Sequence, residues 1–351
     1  MAEKGKRVAT KEETKNNKKK KKNKGLKITG LVCLLFVVII LGVVAGIALN
    51  KLSMMDYYDI DETNLAISKE TGHRNIVIFG VDSRSDSYVN TRSDSIIIVN
   101  IDEKTKEVKL TSVYRDTYLD RNGTLDKINH AYAEGGPELA IQTLNRNLDL
   151  DITEFVTVNF YAVIEVVDAV GGISIDVDSS ELKYINNYVN EIKRVTGESS
   201  ANVTKTGKQT LNGVQALAYS RIRYTDGGDY KRTERMREVL MAVAEKAKTL
   251  NLSQLNTIAN AVLPEIQTNI SSTEIIALLP QATQFTFSES NIGWPYEVRG
   301  QTINGVWYGV PVDLEANVTK LHKEVFGDED YVPSETVKSI SDKIKTKTGV
   351  K

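Results

Sequence analysis

The chain has 351 residues, 41% hydrophobic and 26% charged, with a formal net charge of -1 and a single cysteine. That length and apolar content provide for a sizeable core and exclude a wholly disordered chain, while one cysteine excludes an intrachain disulfide framework. The near-neutral total hides an asymmetry, because residues 1–27 hold 12 Lys and Arg against three acids and the remainder holds 33 against 43.

The first predicted element is ITGLVCLLFVVIILGVVAGIAL, residues 28–49, which contains Cys33 and no charge. At about 1.5 Å per residue it matches the ~30 Å hydrocarbon core of a bilayer. A cleaved signal peptide would carry a shorter apolar region of about 7–15 residues and a small-residue cleavage site. The segment therefore reads as one uncleaved transmembrane helix. The lysine run 18–22 before it marks the cytoplasmic side, so residues 1–27 form a basic cytoplasmic tail and everything from Lys51 onward is extracellular. That tail has no aromatic residue on which bases could stack, and topology accounts for its charge, so nucleic acid is not an expected partner. A large ectodomain without cysteine suits a bacterial cell surface.

Residues 50–71 read as an extracellular stalk. The run 76–81 is a short apolar strand, and 95–101 and 108–113 form a hairpin about DEKTKE, residues 102–107. A symmetric turn sets Ser93 opposite Asp116 and Asp94 opposite Arg115. Only 11 residues lie between Asp82 and Asp94, too few for a helical crossover, so the first strand runs antiparallel to the second. Asp82, Arg92, Asp94 and Arg115 then gather at one end of the sheet.

Helices follow at 137–148, 160–170, 211–219, 229–250, 253–263, 271–282 and 313–326, with strands at 171–177 and 284–288. Because helices and strands interleave without a second linker or a repeat, residues 72–327 read as one α/β domain. Residues 328–351 read as a polar, partly disordered tail.

Arg221 and Arg223 are two apart, so an extended segment would point them the same way. Asp229 follows two glycines as an N-cap, which places Arg232 in the first helical turn and Arg235 one turn on. Arg232, Arg235, Met236, Val239 and Val243 share the apolar face of that helix. Arginine near a helix N-terminus opposes the dipole unless an anion is present. Like charges 4 Å apart repel by about 4 kcal/mol at an effective dielectric of 20. A cluster of four to six arginines thus calls for a multivalent anion such as a phosphate. The alternative is that each arginine pairs with a local acid: Arg115 with Asp94, Arg232 with Asp229, and Arg235 with Glu234 or Glu238. Asp82 and Asp94 suit a hard divalent cation bridged by phosphate oxygens, and this favours the anion site. No nucleophile elbow, phosphate loop or dinucleotide fingerprint is present, and His73, His130 and His322 lack metal-ligand spacing.

The sequence at this point resembles the LytR-CpsA-Psr family of bacterial cell-wall enzymes. The matching pieces are the N-terminal anchor, FGVDSR, TRSDSIIIVNID, SVYRDTYL, DKINHAYAEGG, VDAVGGISIDV, LNGVQALAYSRIRYTDGGDYKRTER and NGVWYGVPVDLEANVTKLHKEVFG, in order from about residue 74 to 327. The resemblance implies an α/β/α sandwich with a central mixed sheet and a hydrophobic pocket for a polyprenyl tail. It implies transfer of a phosphate-linked glycopolymer, such as teichoic acid or capsule, from undecaprenyl-pyrophosphate to the 6-hydroxyl of peptidoglycan N-acetylmuramic acid, with Mg2+ or Mn2+. Asp82 and Asp94 match the family's metal-binding carboxylates. Arg92, Arg115, Arg221, Arg223 and Arg232 match its pyrophosphate-binding arginines, to which the helix-face argument adds Arg235, and Asp229 matches a nearby acid. Arg115 is also expected to act in catalysis, and Asp229 and then Asp116 are the candidate bases. Two positions depart from the pattern: Tyr114 where many members have Pro, and Met236 where Gln is common. Hydrolysis of a lipid pyrophosphate, and non-catalytic binding of wall polymer or lipid carrier, are the alternative functions.

Overall fold

The computed structural model describes residues 55–68, 71–81, 91–247, 263–271, 274, 286–288 and 292–350. The basic tail, the 28–49 segment and Asp82 lie outside them, as do 253–262 and most of 271–282, where helices are expected. Among the described residues no helix is long and apolar enough to cross a membrane.

In chain order the strands are β1 (Asp56–Tyr57), β2 (His73–Val81), β3 (Ser93–Asp102), β4 (Glu107–Val113), β5 (Tyr118–Arg121), β6 (Thr124–Lys127), β7 (Glu154–Val158), β8 (Ile173–Val177), β9 (Gly207–Leu211), β10 (Ile266–Thr268), β11 (Thr286–Phe287), β12 (Ile292–Trp294), β13 (Val298–Ile303) and β14 (Val306–Pro311). The helices are α1 (Ile128–Leu148), α2 (Phe160–Ala169), α3 (Ser179–Thr196), α4 (Gly213–Ser220), α5 (Gly228–Ala247), α6 (Leu314–Leu321) and α7 (Glu335–Thr348).

A central mixed sheet runs in the order β1-β10-β7-β2-β3-β4-β11, with β12 also on β4. β2 is antiparallel to β3 and parallel to β7. The hairpin register is the one a symmetric 102–107 turn sets, with Ile97 opposite Ser112 and Val99 opposite Leu110. Alternate residues of β2 and β3 serve opposite faces. Ile76, Ile78, Ile97 and Val99 join a core with α2–α5, whereas Val77, Phe79, Ile96 and Ile98 join a second core with α1, α6 and α7. The result is a sheet covered by helices on both sides.

Three boundaries differ from the sequence reading. Helical geometry also covers residues 128–134, ahead of the expected 137–148 helix; non-helical Gly135 and Gly136 (φ 62, ψ -156) kink the chain between the two just before Pro137. The stalk is shorter than residues 50–71: Met55 enters the first core and Ile60 and Leu65 the second, and β1 adds to the sheet edge. The C-terminal segment is not an unstructured tail. Ser334 accepts from the Val337 N–H to start α7, Gly349 (φ 70) ends it, and Val337, Ile340 and Ile344 at helical spacing fill the second core. A lysine-rich polar face concealed that stripe. Helix α3 was absent from the sequence reading too, although Asp178 and Glu181 form a capping box at its start.

Lys343 of α7 reaches Asp120 at 2.5 Å, with the Gly123 N–H and Arg146 also on that carboxylate. Burial opposes the charge on Asp120, but these donors prevail and hold its pKa below the ordinary 3.8. A carboxylate with a depressed folded pKa stabilises the fold above its unfolded pKa, and this contribution is lost as pH falls through the folded value. Asp120→Asn should therefore lower stability at neutral pH and flatten the acid limb of the stability–pH curve, read by urea melts. In the same assay Ile340→Ala should cost about 2–5 kcal/mol.

Candidate functional site

The site lies where β2 and β7, which are parallel, reach their C-terminal ends, the usual place for ligands in α/β sheets. Val81 and Val158 close these strands, and both line a cavity of about 790 Å3, including its open mouth. Its walls come from the first-core face of the sheet and from α2, α4 and α5, among them Ile78, Ile97, Val163, Val166, Leu217, Met236, Val239 and Val243. Asp94, Ser95, Asn159, Ser220 and Arg221 supply the polar lining.

Asp94, the second residue of β3, is the centre of the charged part. Its carboxylate accepts from Arg115 at 2.6 Å and from Arg223 at 3.5 Å, and its backbone carbonyl accepts from Arg232 at 3.2 Å. Burial would raise its pKa; the charges of Arg115, Arg232 and Arg223 outweigh burial and hold the carboxyl below the usual range. Asp94 and Arg115 thus meet as the hairpin register implies, although the ladder itself stops at Ile97 and Ser112. Arg115 also lies 3.5 Å from Asp116, whose other oxygen accepts from Lys127 at 2.7 Å. Asp94, Arg115, Asp116 and Lys127 form a chain of alternating charge along the end of the sheet. Lys127 was not among the sequence candidates, since a lysine ending a four-residue strand carries no local signal.

The remaining arginines separate. Arg221 is the C-cap of α4 in right-handed helical geometry (φ -98, ψ -7), so the two-residue alternation of an extended chain does not apply. It pairs with Glu191 of α3 at 3.3 Å while lining the cavity, whereas Arg223 turns to Asp94. Arg92 is exposed, two residues before Asp94. Arg232 is 1% exposed. Helix α5 begins at Gly228, so Asp229 lies within its first turn rather than at a cap, and Arg232 stands two residues further in than expected; the Asp229 side chain lies outside what the structure describes. Arg235 does not join the cluster. It gives Nε to Glu181 at 2.7 Å, one terminal nitrogen to the Ile222 carbonyl at 3.1 Å and the other to Thr225 at 2.7 Å. Helical spacing placed it beside Arg232, but its partner sits on α3, 54 residues away in sequence. Arg235 braces the 222–225 loop that presents Arg223.

The two departures have visible settings. The Tyr114 hydroxyl occupies the space over Gly293, where a Cβ would stand only 2.1 Å from it, and the ring meets Tyr230 edge-on at 4.5 Å. Met236 is part of the cavity lining, among apolar neighbours such as Val239 and Val243. Asp94 offers a hard oxygen donor on the cavity wall. That fits Mg2+, which binds through one or two carboxylates together with water and substrate phosphates. Among the described residues no group of three or more metal-binding side chains assembles.

The site of this α/β domain is an apolar cavity ending on a cationic cluster. The LytR_cpsA_psr family model matches residues 44–324, and the chain belongs to that family. It is 36% identical over 56% of its length to the polyisoprenyl-teichoic acid–peptidoglycan teichoic acid transferase TagU of Enterococcus faecalis, covering 61% of that protein. It is 32% identical over 74% of its length to the corresponding transferase TagV of Bacillus subtilis, covering 65% of it. The matched region is thus less than two thirds of either relative. The crystal structure of B. subtilis TagV superposes with a TM-score of 0.58 at 28% identity, over 75% of this chain and all of that one.

Replacing the buried Arg235 by Ala strands Glu181 and should destabilise the protein by about 3–5 kcal/mol. Arg223, 40% exposed, should cost under about 1 kcal/mol on the same substitution. Chemical denaturation of both variants checks the contrast.

Proposed function

We propose that this protein transfers a phosphate-linked glycopolymer from a polyprenyl-pyrophosphate carrier to peptidoglycan. The observation that carries the reading is the junction at Asp94, where an apolar cavity suited to a lipid chain meets Arg115, Arg223 and Arg232, suited to a pyrophosphate. Family membership and the transferase relatives support it. Undecaprenyl-pyrophosphate as the carrier, teichoic acid, capsule or a related wall polymer as cargo, and the N-acetylmuramic acid 6-hydroxyl as acceptor belong to this proposal.

In the proposed reaction Arg115, Arg223 and Arg232 hold the pyrophosphate, with Arg221 and Arg92 at its approach. Asp94, and Asp82 by its place in the sequence, would hold Mg2+ or Mn2+, which supplies neutralising charge to the phosphates when bound. The acceptor hydroxyl oxygen bonds to the sugar-proximal phosphorus, the bond from that phosphorus to the bridging oxygen breaks, and lipid monophosphate departs. The hydroxyl proton passes to Asp229 or Asp116. Arginine charges already fixed at the cluster lower the barrier by positioning and electrostatics, with no covalent enzyme intermediate. Residues 28–49 anchor the chain as a single-pass helix, and the catalytic domain stands outside the cell beside its lipid and wall substrates.

The test uses the full-length protein in detergent with Mg2+, a synthetic polyprenyl-pyrophosphate disaccharide and a soluble peptidoglycan glycan, with products read by mass spectrometry. A glycan carrying the phospho-sugar is the expected product. Arg115→Ala and Arg223→Ala should each lower the rate by roughly two to three orders of magnitude. Sugar phosphate and lipid phosphate without transfer would identify a hydrolase, and lipid binding without turnover a non-catalytic carrier protein.

A further inference from the structure

The β13–β14 hairpin carries a tryptophan that the pyrophosphate chemistry leaves unused. Thr302 pairs with Trp307 and Gly300 with Gly309, so these four residues share one face of the hairpin. On the opposite face Val310 is buried in the second core and Tyr308 and Ile303 pack against it. Trp307 therefore faces away from that core, and 46% of its surface is exposed. The other tryptophan, Trp294, is fully buried.

The glycine pair seats the indole. A Cβ at Gly300 would stand 3.0 Å from Trp307 Nε1 and 3.1 Å from Cζ2, so any side chain there would lift the ring. A Cβ at Gly309 would lie 3.8 Å from Trp307 Cη2 and equally 3.8 Å from the Asp116 carbonyl oxygen. The Gly309 N–H donates to that same oxygen at 3.0 Å. One ring face thus rests on the hairpin beside Asp116, and the other is open to solvent.

We infer that Trp307 is the stacking platform for the acceptor glycan, taking the C–H face of a pyranose ring against its open π-face. This rests on the transferase reading and deepens it. The lipid cavity opens on the first-core side of the sheet, whereas the hairpin packs on the second-core side. The Asp94–Arg115–Asp116 chain joins the two at the sheet's end. A glycan lying on Trp307 approaches the cluster from the side opposite the lipid, which is the geometry that direct displacement at phosphorus requires. A membrane-surface role for the same tryptophan is disfavoured by this separation from the lipid cavity.

The experiment uses full-length protein in detergent and follows Trp307 directly, since Trp294 is buried. Soluble uncrosslinked peptidoglycan glycan should protect the accessible tryptophan fluorescence from iodide quenching, and Trp307→Phe should abolish that protected fraction. In the transfer assay Trp307→Ala should raise KM for the glycan about tenfold, with a smaller effect for Phe and no matching change in KM for the lipid donor. Unaltered glycan KM in Trp307→Ala, while wild-type protein transfers polymer, overturns the platform and leaves the transferase reading standing. Glycan protection of Trp307 without any transfer overturns the transferase reading instead. Protection by anionic lipid vesicles and none by glycan would assign Trp307 to the membrane and end the proposal.

Discussion

The structure depends on a single carboxylate placed among arginines. Asp94 stands at the start of β3, and three segments distant in sequence converge on it: the end of the hairpin through Arg115, the loop after α4 through Arg223, and α5 through Arg232. Arg115 also lies beside Asp116, so acids and bases alternate around this carboxylate in a partly buried place, where charges about 4 Å apart interact by several kcal/mol. These pairs fix the arginines in place before any ligand arrives, so little reorganisation would be needed on binding.

Further ion pairs surround the cluster. Arg221 is matched by Glu191, Arg235 by Glu181 and Asp116 by Lys127. Glu181 illustrates how tightly these roles are joined. One of its oxygens accepts from Arg235, while the other accepts from the Asp178 N–H in the capping box of α3. The start of one helix thus fixes an arginine of another, and that arginine orders the loop before Arg223.

The mixed sheet separates the cavity from the β13–β14 hairpin. Alternation along β2 and β3 yields two cores, the cavity being built on one and the β13–β14 hairpin on the other. Only the end of the sheet, where strands stop and backbone pairing ceases, is open to both. Charges accumulate there because side chains of strand termini project beyond the hydrophobic layers and remain partly hydrated.

Much of this was legible in local patterns. The apolar runs identified β2, β3 and β4, the turn DEKTKE set their register, and register alone brought Asp94 to Arg115. Helices near 137–148, 160–170 and 313–326 were readable from local pattern, and Arg115 beyond β4 and the arginines of the 221–235 stretch were readable as a cationic group. Long-range partners were not. Glu181 for Arg235, Glu191 for Arg221 and Lys127 for Asp116 carry no signature in spacing, because each pair is made by packing between elements. The α7 stripe was hidden by its lysines, and the seat of Trp307 exists only where two glycines from different strands face each other. The sequence by itself determined β2, β3 and β4, their antiparallel pairing and the type of charge at their ends, since these follow from neighbours along the chain. Only the tertiary structure decided which arginines gather at Asp94 and which brace the fold, because that depends on the acid each one meets across the packed layers.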